Sequence, residues 1–104
     1  MSVRYRWSCQ VHYERYGEFL HLQSQKAEIA GARGWVQATF WTAVAGTLGD
    51  FYLEREYPDL DVFASEQAER DKDYEFMKLM RESYRHTVQG SVRIELFETA
   101  GTTI

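Results

Sequence analysis

The sequence predicts an α+β domain of element order β-α-β-β-α-β, with a four-stranded antiparallel sheet and two helices on one of its faces. Three observations predict it. Three stretches alternate apolar and polar residues with the period of two of a half-buried strand, and a fourth is rich in β-branched and aromatic residues. Two stretches carry apolar residues at helical spacings. A glycine-bearing loop separates the two middle strands, as in a hairpin.

The first strand is RYRWSCQVHY, Arg4 to Tyr13, with Tyr5, Trp7, Cys9, Val11 and Tyr13 on one face and Arg4, Arg6, Ser8, Gln10 and His12 on the other. From Glu14 the period changes. Tyr16, Phe19, Leu20, Gln23 and Ala27 fall at helical spacing until Gly31 and Gly34 stop the helix. WVQATFWTAVA, Trp35 to Ala45, is the second strand, and Gly46 to Asp50 (GTLGD) form the loop. FYLEREY is the third strand. Pro58 ends it, because proline has no N–H for the ladder, and Asp59 is placed to cap the helix beginning DLDVFASEQAE. The polar run ERDKD, Glu69 to Asp73, interrupts that helix before YEFMKLMRESY, where Phe76, Met77, Met80 and Tyr84 form an apolar stripe. SVRIELFE, Ser91 to Glu98, is the fourth strand, and AGTTI is a short tail. This is the ferredoxin-like pattern, with sheet order 4-1-3-2 and FYLEREY beside RYRWSCQVHY in the centre.

The 104 residues fit a single domain spanning 1–104. A composition of 44% hydrophobic and 27% charged residues is that of a globular protein. No apolar run approaches the roughly 20 residues of a membrane span, and the N-terminus lacks a signal peptide's apolar core, so a cytoplasmic protein with no membrane partner is expected. The lone Cys9 excludes an internal disulfide and a CxxC pair. A net charge of −4 argues against nucleic acid as a partner. Three Trp, seven Tyr and six Phe are a surplus of rings for a core, a flat-ligand pocket or a subunit interface.

The helices hide one sheet face only. The other carries Arg4, Arg6, Glu54, Glu56, Arg93 and Glu95 together with Tyr52, Phe97 and either Trp41 or Phe40, too many rings for a solvated face. A second copy of the chain is the expected cover, since a two-fold axis satisfies the same patch twice.

FWTAVAGTLGDFYLEREYPDLDVFASEQAERDKDYEFMKLM resembles the second half of NIPSNAP-type domains of the dimeric α+β barrel superfamily. The resemblance lies in the aromatic strand, the short glycine hairpin, the strand ending in an aromatic residue, the polar helix cap, and the segment holding Asp73, Glu75 and Phe76. It implies a homodimer and, in several members, a ligand cavity within each subunit between sheet and helices. It also implies a small apolar or aromatic ligand, with cofactor-independent oxidation, isomerisation or cyclisation as possible chemistry. A non-catalytic binding or assembly protein is the alternative. No metal and no cofactor are expected. The cofactor-free monooxygenases of the superfamily are expected to use an Asn, and this chain has none.

Glu54 and Glu56 share one strand face roughly 6.5 to 7 Å apart, close enough to act as an acid/base pair. The arginines of the neighbouring strands favour cross-strand ion pairs instead. His12, His21 and His86 sit on separate elements and make no metal motif. His12 and Tyr13 are the candidate proton carriers. Trp35, Trp41 and Tyr52 are candidate ligand-binding rings, and His21 joins them by analogy with the haem-degrading relatives, although its helical phase puts it at the border of the apolar stripe. HTVQGSVRIEL resembles an acylphosphatase loop, but stands at the wrong end of the chain.

Overall fold

The computed structural model describes residues 2–46 and 48–100. Strand β1 (Val3–Gln10) leads through a 3-10 turn (Tyr13–Arg15) into helix α1 (Tyr16–Arg33). Strands β2 (Thr39–Thr42) and β3 (Asp50–Tyr57) form the hairpin, followed by helices α2 (Leu60–Lys72) and α3 (Tyr74–Tyr84) and strand β4 (Arg93–Glu98). The sheet is antiparallel in the order β2-β3-β1-β4, the order the sequence predicts.

Alternation builds the core directly. Val3, Tyr5, Trp7 and Cys9 of β1 face the helices with Phe51, Leu53 and Tyr57 of β3, and Phe19 of α1 packs on them. Phe19 meets Phe51 edge to face at 4.9 Å and stacks on Trp7 at 6.2 Å. Each such buried ring contributes roughly 1.5–3 kcal/mol by its removal from water. A second cluster, Ala30, Trp35 and Phe76, ties the end of α1 to α3.

The caps follow the sequence. Asp59 accepts from Val62 N–H at the start of α2, and Asp73 accepts from Phe76 N–H at the start of α3. The break between the two helices falls at Asp73, where the backbone turns extended so that its carboxylate can cap α3. Gly49 has φ +91°, and a β-carbon there would lie 2.8 Å from Val11 O, so the hairpin loop closes on the end of β1 only with glycine.

Four boundaries differ from expectation. β1 stops at Gln10 rather than Tyr13: Val11 bridges Thr87, His12 N–H turns to His86 O, and Tyr13 leaves the buried face to stand 80% exposed. α1 runs through Gly31, which keeps helical geometry, and ends at Gly34 alone, whose left-handed φ of +73° lets Trp35 N–H close on Ala30 O. Its buried stripe is Phe19, Leu22, Gln23, Lys26 and Ala30, while Leu20 is exposed. β2 is four residues long because only Thr39–Thr42 find partners on β3. β4 begins at Arg93, two residues late. Of the loop and the tail, Thr47 and residues 101–104 lie outside the described residues.

Candidate functional site

Between the sheet and the three helices lies a cavity of about 230 Å³. Tyr5, Trp7, Leu53 and Arg55 form its sheet wall. Gln23, Lys26 and Ala30 face it from α1, Arg70 from α2, and Phe76 and Met80 from α3. Its lining runs from these mostly buried residues out to exposed Gln37, Phe40 and Asp71, so it communicates with solvent.

The walls are aromatic, yet three cations point among them. Arg55 is the third inward position of β3, after Phe51 and Leu53 and before Tyr57, so strand alternation drives its guanidinium inside. There it stacks on the Tyr5 ring at 4.3 Å. Arg70 lies over Trp35 at 5.0 Å and Phe76 at 5.3 Å. Lys26 lies over Trp7 at 5.4 Å and Phe76 at 5.6 Å, with its Nζ 3.3 Å from Met80 Sδ.

One buried carboxylate, Glu66 on α2, answers this charge. It accepts from Val36 N–H at 2.7 Å, from Arg70 Nη2 at 3.0 Å and from the Tyr57 hydroxyl. Arg55 Nη1 stands 3.9 Å away, within ion-pair range but beyond a hydrogen bond. Arg55 Nε and Nη1, Arg70 Nε, Trp7 Nε1, Gln23 Oε1 and Gln67 Oε1 are buried without a hydrogen-bond partner. Burial, with the repulsion of Arg55 and Arg70 added, brings the Lys26 ammonium down to about 7. Burial raises the Cys9 thiol to about 12, and burial together with the hydrogen bond to Glu66 raises Tyr57 to about 12.

None of the six candidate site residues, His12, Tyr13, His21, Trp35, Trp41 and Tyr52, lines this cavity. His12 and Tyr13 are exposed in the turn after β1, and His21 is exposed on α1. Trp35 is buried, but its indole N–H donates to Glu69 at 2.9 Å in the second core cluster. Trp41 and Tyr52 are brought together as cross-strand partners, but on the opposite face of the sheet. Lys26, Arg55 and Arg70 were not among the residues singled out. The signal was present for Arg55, an odd charge in an inward row of rings, and for Lys26, which follows Phe19 by two helical turns.

The outer sheet face holds the ion-pair seam expected of it. Arg4 pairs with Glu56 at 2.8 Å and Arg6 with Glu54 at 2.7 Å, each across the β1–β3 register. Each glutamate is thus held by its own arginine. Arg93 does not reach them; its nearest carboxylate is Glu95 on the same strand, at 3.8 Å. Trp41, and not Phe40, occupies this face and is 55% exposed, with Tyr52 and Phe97 also exposed.

No protein-family model matches the chain, and no curated protein matches its sequence. Solved structures do match its fold. A NIPSNAP family protein from Agrobacterium tumefaciens str. C58 superposes with a TM-score of 0.77 at 12% identity, covering 99% of this chain and 97% of that one. An antibiotic biosynthesis monooxygenase gives 0.74 at 13% identity, covering 95% and 99%. SnoaB, a cofactor-independent oxygenase from Streptomyces nogalater, gives 0.73 at 17% identity, covering 97% and 95%. The chain therefore has the ferredoxin-like α+β fold of the NIPSNAP and monooxygenase-type α+β barrel proteins, the group its sequence resembles.

Proposed function

We propose that this chain is a homodimeric, cytoplasmic protein that binds a small, largely apolar or aromatic molecule in the cavity between sheet and helices, and serves its cofactor-independent oxidation, isomerisation or cyclisation. The observation that carries the reading is the cavity itself. Interiors of this size are ordinarily close-packed, and a space of about 230 Å³ walled by Tyr5, Trp7, Leu53 and Phe76 is the shape and polarity of a small-molecule site. The fold shared with a cofactor-independent oxygenase supports the chemical part. A thermal-shift screen of aromatic compounds, followed by native mass spectrometry, tests it. A hit should raise the melting temperature of the native chain but not of Ala27→Phe, which places a ring in the cavity from a half-buried lining position of α1.

A second reading, a binding protein without catalysis, is favoured by the exposed positions of His12 and Tyr13, outside the cavity lining. A ligand recovered with unchanged mass and unchanged chromatographic retention after aerobic incubation supports that reading; a product that differs in mass, or an isomer that differs in retention alone, supports turnover.

A further inference from the structure

We infer, building on the cavity reading above, that the molecule held there is an organic acid whose anionic oxygen sits against the free edge of Arg55, with Lys26 and Arg70 completing a cationic wall. The charges inside the subunit do not balance. Lys26, Arg55 and Arg70 face the cavity, and Glu66 is the one buried carboxylate beside them among the described residues. Glu66 is already engaged by Val36 N–H, the Tyr57 hydroxyl and Arg70. Asp71, at the cavity's exposed margin, accepts from Gln67 Nε2 at 3.0 Å. The protein's own anions therefore leave Arg55 without a hydrogen-bonded partner.

Arg55 is 6% exposed, and its Nε and Nη1 are both unpartnered. A guanidinium removed from water without hydrogen bonds costs several kcal/mol, so natural chains seldom bury one unless something answers it. The Tyr5 ring centroid lies 4.3 Å from the guanidinium carbon, and the Arg55 side chain makes no hydrogen bond among the described residues, so its donors remain for an anionic oxygen. Arg70 Nε is likewise unpartnered, and among the described residues Lys26 Nζ has a thioether and two ring faces but no anionic partner. An aromatic or aliphatic body fits against Trp7, Leu53 and Phe76, and one anionic oxygen or carboxylate meets the cations. A carboxylic acid and an acidic phenol or enol supply the same anionic oxygen. In the second case the neutral molecule gives its proton to the Lys26 amine on entering, forming the ammonium and the oxyanion together.

Three probes of one shape test this: 2-naphthoate, 2-naphthol and the neutral 2-naphthamide, titrated by calorimetry into the full chain, Arg55→Met, Lys26→Met and Ala27→Phe. A charge-assisted hydrogen bond to a buried guanidinium predicts that naphthoate, or naphthol bound as its longer-wavelength-absorbing anion, binds roughly 10- to 100-fold more tightly than naphthamide. Whichever of the two shows the margin identifies the source of the oxygen. Arg55→Met should remove the margin while leaving naphthamide binding intact, which also shows that the variant is folded. Equal affinity for all three probes, or a margin that survives both Arg55→Met and Lys26→Met, overturns the inference and leaves the cavity reading standing. Absence of binding by every probe, or binding undiminished in Ala27→Phe, overturns the cavity reading itself and the inference with it.

Discussion

Lys26 Nζ lies 3.3 Å from the thioether sulfur of Met80, and among the described residues no carboxylate pairs with it. An ammonium ion in that position has exchanged water for a weak acceptor, two rings and two guanidinium neighbours. The consequences reach from stability to ligand binding.

The first concerns pH. Lys26 releases its proton near 7 in the folded chain and near 10.5 when unfolded, so between these values the unfolded chain holds more protons and stability rises with pH. The slope approaches about 1.4 kcal/mol per pH unit. Arg55 from β3, Arg70 from α2 and Cys9 from β1 act on Lys26 electrostatically, and Tyr5 and Tyr84 share the cavity lining with it. Of these, Cys9 opposes the trend above its ordinary 9.0, since its folded value is about 12. Stability should therefore climb between pH 7 and 9 and level off above. Chemical denaturation across that range checks it, and Lys26→Met should be more stable than the native chain at pH 7 and lack the climb.

Glu66→Gln should destabilise by about 3–5 kcal/mol, the cost of removing one partner from a buried ionic cluster. Arg70 would lose its ion pair at 3.0 Å and Arg55 its counter-charge at 3.9 Å. Urea unfolding measures this. A loss below about 1 kcal/mol would mean that solvent or an ion already shields the guanidinium groups.

Asp73→Ala removes the cap of α3 and the 2.8 Å pair with Arg33. A loss of about 1 kcal/mol is expected. The Phe76 N–H and Arg33 hold the Asp73 carboxyl below its ordinary range, so this contribution is present at neutral pH and disappears as pH falls through the lowered value. Native and variant chains should therefore converge in stability in acid.

On the outer face, Trp41→Glu should convert a dimer to a monomer while leaving the melting of the isolated subunit nearly unchanged, because Trp41 is 55% exposed there. Light scattering after size exclusion decides. A native chain that is monomeric at micromolar concentration contradicts the two-fold cover.

The path of the chain was legible in the sequence because it depends on periodicity and punctuation. The alternation through Tyr5, Trp7 and Cys9, the stop at Pro58 and the caps at Asp59 and Asp73 are local signals. The end of β1 was not, because it is set by a long-range contact, His12 N–H to His86 O. The cavity was harder still. The surplus of rings points to Trp41 and Tyr52, which lie on the other side of the sheet, whereas the cavity is marked by charges in apolar rows. Arg55 among Phe51, Leu53 and Tyr57 is such a charge, and only the convergence of β3, α1 and α2 reveals that Lys26 and Arg70 share its space.

Three tryptophans make ligand binding between sheet and helices directly observable. Trp7 lines the cavity with its indole N–H unpartnered, Trp35 bonds to Glu69, and Trp41 lies on the outer face. In nitrogen-proton correlation spectra of the native chain titrated with 2-naphthoate, the Trp7 indole resonance should move to saturation while that of Trp41 stays in place. Movement of Trp41 with Trp7 unchanged would put the ligand on the outer face and contradict a binding site between sheet and helices.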